Sequence, residues 1–145
     1  MRVYLDNCSF NRPFDDQGQI RIRVETEAKL FVQDQVQSGF LDLAWSYMLD
    51  YENSANPFDE RRSAIAAWKR YAIDHVQGSE TVVNRAEEMV RTRKLLNMDA
   101  LHVACAIEAQ CDYYITTDDE LIRKMSNHDQ ITVLDPTAFV RERRR

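Results

Sequence analysis

Short apolar runs alternate along this chain with stretches whose apolar residues recur at helical spacing. The run "RVYL" (2–5) is rich in β-formers and predicts a short buried strand. A loop is expected to follow, through Pro13 to Gln17. From Gln19 to Gln37, the residues Ile20, Val24, Ala28, Phe31, Val32 and Val36 recur at helical spacing, and Gly39 supplies a stop. "FLDLAW" (40–45) predicts a second strand, with Ser46 as the N-cap of a helix to about Asn53. Pro57 interrupts. Asp59 to Asp74 then predicts a helix with Ile65, Trp68 and Ala72 on one face, and "HVQG" (75–78) a third strand. Ser79 opens a long amphipathic helix through Val82, Val83, Ala86, Met89, Val90 and Arg93. Residues 99–110, "DALHVACAIEAQ", are apolar nearly all round, the mark of a helix in the middle of a fold. "YYIT" (113–116), a helix at 119–125, "ITVL" (131–134) and a helix at 136–142 opened by Pro136 complete the pattern.

Strands that alternate with helices, with no hairpin signal between them, predict an α/β fold around a mostly parallel sheet. At 145 residues the chain suits one domain, 1–145, and its three glycines and three prolines leave no long flexible linker. Right-handed crossovers in such a sheet put functional sites at the carboxyl ends of the strands.

Composition narrows the function. No apolar run of about 18 residues occurs, so no membrane span is expected. The start, "MRVYLDNCSF", lacks the apolar core of a signal peptide, which predicts a cytoplasmic protein. Cys8, Cys105 and Cys111 are an odd count without paired spacing, which argues against a disulfide framework. Net charge is −5, which disfavours simple coating of phosphates by basic residues. It leaves room for a nuclease, because a metal ion neutralises a carboxylate cluster locally. The end of the chain, "RERRR" (141–145), is a basic tail.

The acids then acquire a place. Asp6 directly follows the first strand, and Asp118 comes just past "YYITT". Asp99 opens the buried helix that feeds the "YYIT" strand, and such a helix starts at the carboxyl edge of a parallel sheet. Glu52 lies on the helix that leaves the second strand at that same edge. Singly, each has an ordinary role as a turn residue, a helix cap, a first-turn acid or a solvated side chain. Those ordinary roles do not predict convergence on one edge. Four gathered carboxylates repel, and a hard divalent ion such as Mg²⁺ or Mn²⁺ relieves this through oxygen ligands.

The stretches "VYLDNCSFNRP", "SYMLDYE" and "NMDALHVACAIEAQCDYYITTDDEL" together resemble the PIN-domain family, which includes the VapC-type toxin ribonucleases. The resemblance implies a three-layer fold with a parallel sheet and Mg²⁺- or Mn²⁺-dependent endoribonuclease activity. It further implies that Asp6, Glu52, Asp99 and Asp118 are the metal-binding and catalytic quartet. Asn7, Ser46, Thr116 and Glu120 match positions that support the quartet, while Cys8 stands where the family often has a hydroxyl or amide. The implied partners are RNA, an antitoxin protein and a second copy of the chain, with aromatic residues of the 46–74 region as candidate dimer surface. A nuclease outside any toxin pair, or a PIN-like module that binds RNA or protein without cutting, is the alternative.

Other groupings are weaker. Arg12 and Arg21 fall near the loop after Asp6 and are candidate RNA contacts, although Arg21 and Glu25 are also spaced as a surface ion pair. His102, Cys105 and Cys111 lack zinc-ligand spacing; a packed thiol and a structural histidine are expected. A phosphorylation receiver would need a lysine where "ITVLDP" ends, and a haloacid-dehalogenase-type phosphatase would need an acid where Cys8 stands.

Overall fold

Five strands, all parallel, form one sheet in the order β3-β2-β1-β4-β5 in a computed structural model that describes residues 1–143. The first strand, β1 (Arg2–Leu5), lies at the centre between β2 (Asp42–Ser46) and β4 (Tyr113–Ile115). β3 (Ala72–Val76) and β5 (Thr132–Leu134) are the edges. Val3, Tyr4 and Leu5 have no exposed surface, which is what a strand covered on both faces requires. Chain order runs outward in opposite directions from β1 and β4. The junction between these two strands is therefore the topological switch point, where an open parallel sheet leaves a crevice beyond its carboxyl ends.

The helices are α1 (Asn7–Asn11), α2 (Ile20–Gln37), α3 (Tyr47–Ser54), α4 (Asp59–Ala67), α5 (Glu80–Arg93), α6 (Asn97–Glu108), α7 (Asp119–Lys124) and α8 (Pro136–Arg143). Crossovers that run in opposite directions along the sheet place α2 and the α5–α6 pair on opposite faces, giving the expected three layers. α6 buries seven residues, from Ala100 to Ile107, as its nearly continuous apolar character predicts. α2 stops where predicted, with Gly39 in a left-handed conformation (φ 80°). No helix among the described residues is long and apolar enough to cross a membrane. Of the basic tail, Arg144 and Arg145 lie outside the described residues.

Two segments depart from the sequence reading. The expected loop after β1 contains α1 and a 3₁₀ turn (Arg12–Phe14), because the Asp6 carboxylate accepts the Ser9 N–H (2.9 Å) and caps a helix there. The helix expected over 59–74 stops at Ala67. A 3₁₀ turn (Trp68–Tyr71) leads into β3, so the third strand begins at Ala72 rather than His75. Ile65, Trp68 and Ala72, at spacings of three and four, match a helical period although the helix ends before the last two. From Ala72 onward, exposure alternates residue by residue, as it does on an edge strand.

Candidate functional site

The carboxyl edge around the switch point gathers the four predicted acids. Asp6 leaves β1, and its backbone N–H is still bonded to Ile115 O of β4 (3.3 Å). Asp118 follows β4 and caps α7, its Oδ1 accepting the N–H groups of Glu120 (3.0 Å) and Leu121 (3.2 Å). Asp99 lies in the first turn of α6, and Glu52 in α3, which Ser46 caps at the end of β2.

Thr116 ties two of these acids together. Its Oγ1 donates to Asp6 Oδ2 (2.5 Å) and accepts the Asp118 N–H (3.1 Å). The Ser9 hydroxyl donates to Ile115 O (3.0 Å), which fixes α1 against the end of β4. The supporting role matched to Thr116 thus has a concrete geometry.

A second polar chain runs beneath the rim. The Tyr4 hydroxyl lies 2.7 Å from Ser46 Oγ and 2.6 Å from His102 Nδ1, all three residues being buried. His102 Nε2 points toward Glu52 Oε1 at 3.3 Å, close enough for an ion pair but without hydrogen-bond alignment. His102 sits three residues after Asp99, so one helical face presents a carboxylate to the rim and an imidazole to Glu52. Sequence reading missed Tyr4 altogether. Its one available signal is a polar tip on a strand otherwise apolar throughout, since a buried tyrosine hydroxyl needs a partner.

The acids share one electrostatic neighbourhood. Burial raises the Asp6 carboxyl to about 6, against the hydrogen bonds from Thr116 and Ser9 that hold it down. Burial raises Asp99 as well, and Asp118 and Glu52 push it further. The Cys8 thiol is pushed up to about 12 by desolvation from the surrounding atoms, although the residue as a whole is exposed, and by Asp6, Glu52 and Asp118. Asp6, Glu52 and Asp118 thus act on Cys8, and Glu52 and Asp118 on Asp99. They are not drawn tight: among the described residues, no three Asp, Glu, His or Cys side chains form a ready-made metal cage. Two buried polar atoms at the rim have no partner, Asn7 Oδ1 beside Asp6 and His102 Nε2 facing Glu52.

The remaining predicted contacts are engaged within the chain. Arg12 bonds Glu25 Oε1 through Nε (3.0 Å) and Asp15 Oδ2 through one terminal nitrogen (3.0 Å). Arg21 grips Asp119 with both terminal nitrogens (2.7 and 2.8 Å) and lies 3.6 Å from Glu25. Glu25 is buried, so the expected surface pair is in fact a half-buried bridge between two arginines. Asp119 ties Arg21 to the start of α7, one residue past Asp118. Glu120 is exposed and faces Lys124 (3.3 Å). Cys105 is fully buried, as expected of a packed thiol.

The chain matches the VapBC2 structure from Rickettsia felis, solved bound to a DNA fragment from the promoter, at 12% identity. That match covers 92% of this chain and 97% of the other, with a TM-score of 0.54. PAE2754 from Pyrobaculum aerophilum matches over 100% of both chains at 14% identity, with a TM-score of 0.53. No protein-family model and no curated protein matches. The fold is PIN-like, and the likeness extends over essentially the whole chain.

Proposed function

We propose that the protein is a divalent-metal-dependent endoribonuclease, the toxin of a toxin–antitoxin pair. One observation supports the reading: Asp6, Glu52, Asp99 and Asp118 come from four separate segments, and their charges overlap along the carboxyl edge of the sheet. Repulsion among carboxylates, one of them buried and three half-buried, is costly unless a cation offsets it.

The residues fit a hydrated Mg²⁺ or Mn²⁺ ion. Their donors are hard oxygens, and the unpartnered Asn7 Oδ1 offers one more acceptor for an ion-bound water. Mg²⁺ is usually held by one or two carboxylates with several waters retained, so a preformed cage of three side chains is not required. When bound, such an ion lowers the pKa of a coordinated water and offsets charge on a phosphodiester. The protein's own part is positional. Thr116 holds Asp6 and the start of α7 in register, and the Ser46–Tyr4–His102 chain braces the α3–α6 seam that carries Glu52 and Asp99. RNA is the proposed substrate, and Glu120 an auxiliary acid.

The toxin role rests on the PIN-like fold and on the VapBC2 likeness, in which the matched protein belongs to a VapBC complex. An antitoxin protein is the proposed partner, placing an arginine or lysine among the carboxylates. A homodimer is also proposed, with the exposed aromatic residues Tyr51 and Phe58 as its surface. The looseness of the acid group favours a second reading, a PIN-like module that binds RNA or protein without cutting. Inducible expression in a bacterial host tests the toxin role. The parent is expected to arrest growth and Asp6→Asn to leave it normal. Normal growth with folded, RNA-cleaving parent protein would remove the toxin role and leave a nuclease.

A further inference from the structure

Away from the acid rim, a lysine is buried without a counter-ion. Lys29 on α2 is 2% exposed, the only buried lysine among the described residues. It lines a cavity of about 160 Å³ together with Phe10, Phe14, Leu30, Ile65 and Trp68. Its Nζ lies 4.9 Å from the centre of the Phe10 ring and 5.9 Å from that of Trp68. With the Gln33 amide turned so that its oxygen faces them, that oxygen accepts from Trp68 Nε1 (3.0 Å) and from Lys29 Nζ.

The charged groups on the surrounding elements are paired elsewhere. Glu25, one turn earlier on α2, is held by Arg12 and Arg21. Arg61 of α4 bonds Asp15 and Phe14 O. The other lysines, Lys69 and Lys94 at the surface and Lys124 half-buried, have anionic or carbonyl partners: Lys69 with Asp50 (3.0 Å), Lys124 with Glu120 (3.3 Å) and Lys94 with Arg91 O (3.1 Å). Aromatic faces attract an ammonium, but burial opposes the charge more strongly here. It lowers the Lys29 amine from 10.5 to about 7. Near neutral pH much of this side chain is therefore a free amine, a nucleophile that the surface lysines do not offer.

An apolar cavity of about 150 Å³ is enough to take up benzene. This one has aromatic walls suited to an aryl ring, and Phe14 and Leu30 are exposed at its surface. We propose that the cavity is a covalent binding site for small aromatic aldehydes, with Lys29 Nζ as the attacking atom. The nitrogen lone pair forms the C–N bond to the carbonyl carbon, and the C=O π pair moves to oxygen, which takes up the proton nitrogen releases. The carbinolamine then loses water, the second proton leaving nitrogen with it, to give the imine. Amine plus aldehyde gives imine plus water, with no change in oxidation state. The site is independent of the acid rim.

Benzaldehyde and cyanoborohydride at neutral pH, followed by peptide mapping of the intact chain, test this. Lys29 is expected to gain a benzyl group at least about tenfold faster than Lys69, Lys94 and Lys124, following its larger neutral fraction. The N-terminal amine, whose ordinary value is already near neutrality, is left out of the comparison. Toluene, as an unreactive occupant, is expected to slow labelling at Lys29 alone. Lys29→Met is expected to lose only that label. Even labelling of all four lysines, labelling of Lys29 last, or indifference of Lys29 to toluene would overturn the proposal, and each is read on the parent protein.

Discussion

The Thr116 hydroxyl donates to the Asp6 carboxylate across 110 residues of chain, and the same oxygen accepts the Asp118 N–H. One side chain thus sets the spacing between the acid after β1 and the acid after β4. Thr116→Val keeps the shape and removes the hydroxyl. It leaves Asp6 Oδ2 and the Asp118 N–H short of a partner, at a cost of about 1–3 kcal/mol. Denaturant midpoints are expected to fall accordingly, and Mn²⁺ affinity to drop with them. Thr116→Ser should recover most of both. Unchanged Mn²⁺ binding in the valine variant would separate Thr116 from the site.

Tyr4→Phe probes the chain beneath the rim. The phenylalanine preserves the stacking of residue 4 on Tyr114 (centroids 5.1 Å apart) but strips Ser46 and His102 of their shared partner. Groups of this kind orient ligands without binding metal themselves, and their loss typically costs about 10–100-fold in metal affinity or activity. The expected phenotype is weakened activity with the fold intact. Calorimetric Mn²⁺ titration next to circular dichroism distinguishes it from simple unfolding.

Lys29 makes stability depend on pH. Its folded value is about 7, below the 10.5 of a solvated lysine, so the unfolded chain binds more protons between those limits. Stability then rises with pH across that window. Below pH 7 the full cost of burying the charge is present. Lys29→Met is expected to raise stability by several kcal/mol at pH 6 and to flatten the rise between pH 7 and 10. Parallel urea denaturation curves at these pH values are the check; equal slopes for parent and variant would contradict it.

The order of strands and helices was legible because apolar runs and 3.6-residue stripes differ in period, and because Ser46 and Ser79 mark helix starts plainly. The segment 68–76 was not, since the spacings from Ile65 through Trp68 to Ala72 read as helix, and only pairing with β2 shows where the strand begins. The acids were legible because each sits at a strand end or in the helix that follows. Their exact partners were not. Thr116 reaches Asp6 through the pairing of β1 with β4, and His102 reaches Tyr4 through the packing of α6 on the sheet; local spacing encodes neither. Arg12 and Arg21 looked available to phosphate because Glu25 and Asp119, 13 and 98 residues further along the chain, reach them only when the fold closes.

Arg21→Ala tests whether that closure matters. Loss of the Arg21–Asp119 fork frees the start of α7 beside Asp118. Because Arg21 and Asp119 are exposed, and Arg12 still holds Glu25, the stability change is expected to be small. RNA affinity is expected to hold, in contrast to a direct phosphate contact. Gel-shift titration at two salt concentrations distinguishes these, since loss of a phosphate contact lowers the salt dependence.

The most direct test of the account is cleavage of single-stranded RNA by purified protein with and without Mn²⁺, parent beside Asp99→Asn. The parent is expected to cut only with metal. Asp99→Asn, which relieves repulsion from Asp118 and Glu52, is expected to keep the fold and lose about a hundredfold or more in rate. Equal cleavage by both proteins, or none by folded parent at saturating Mn²⁺, would contradict it.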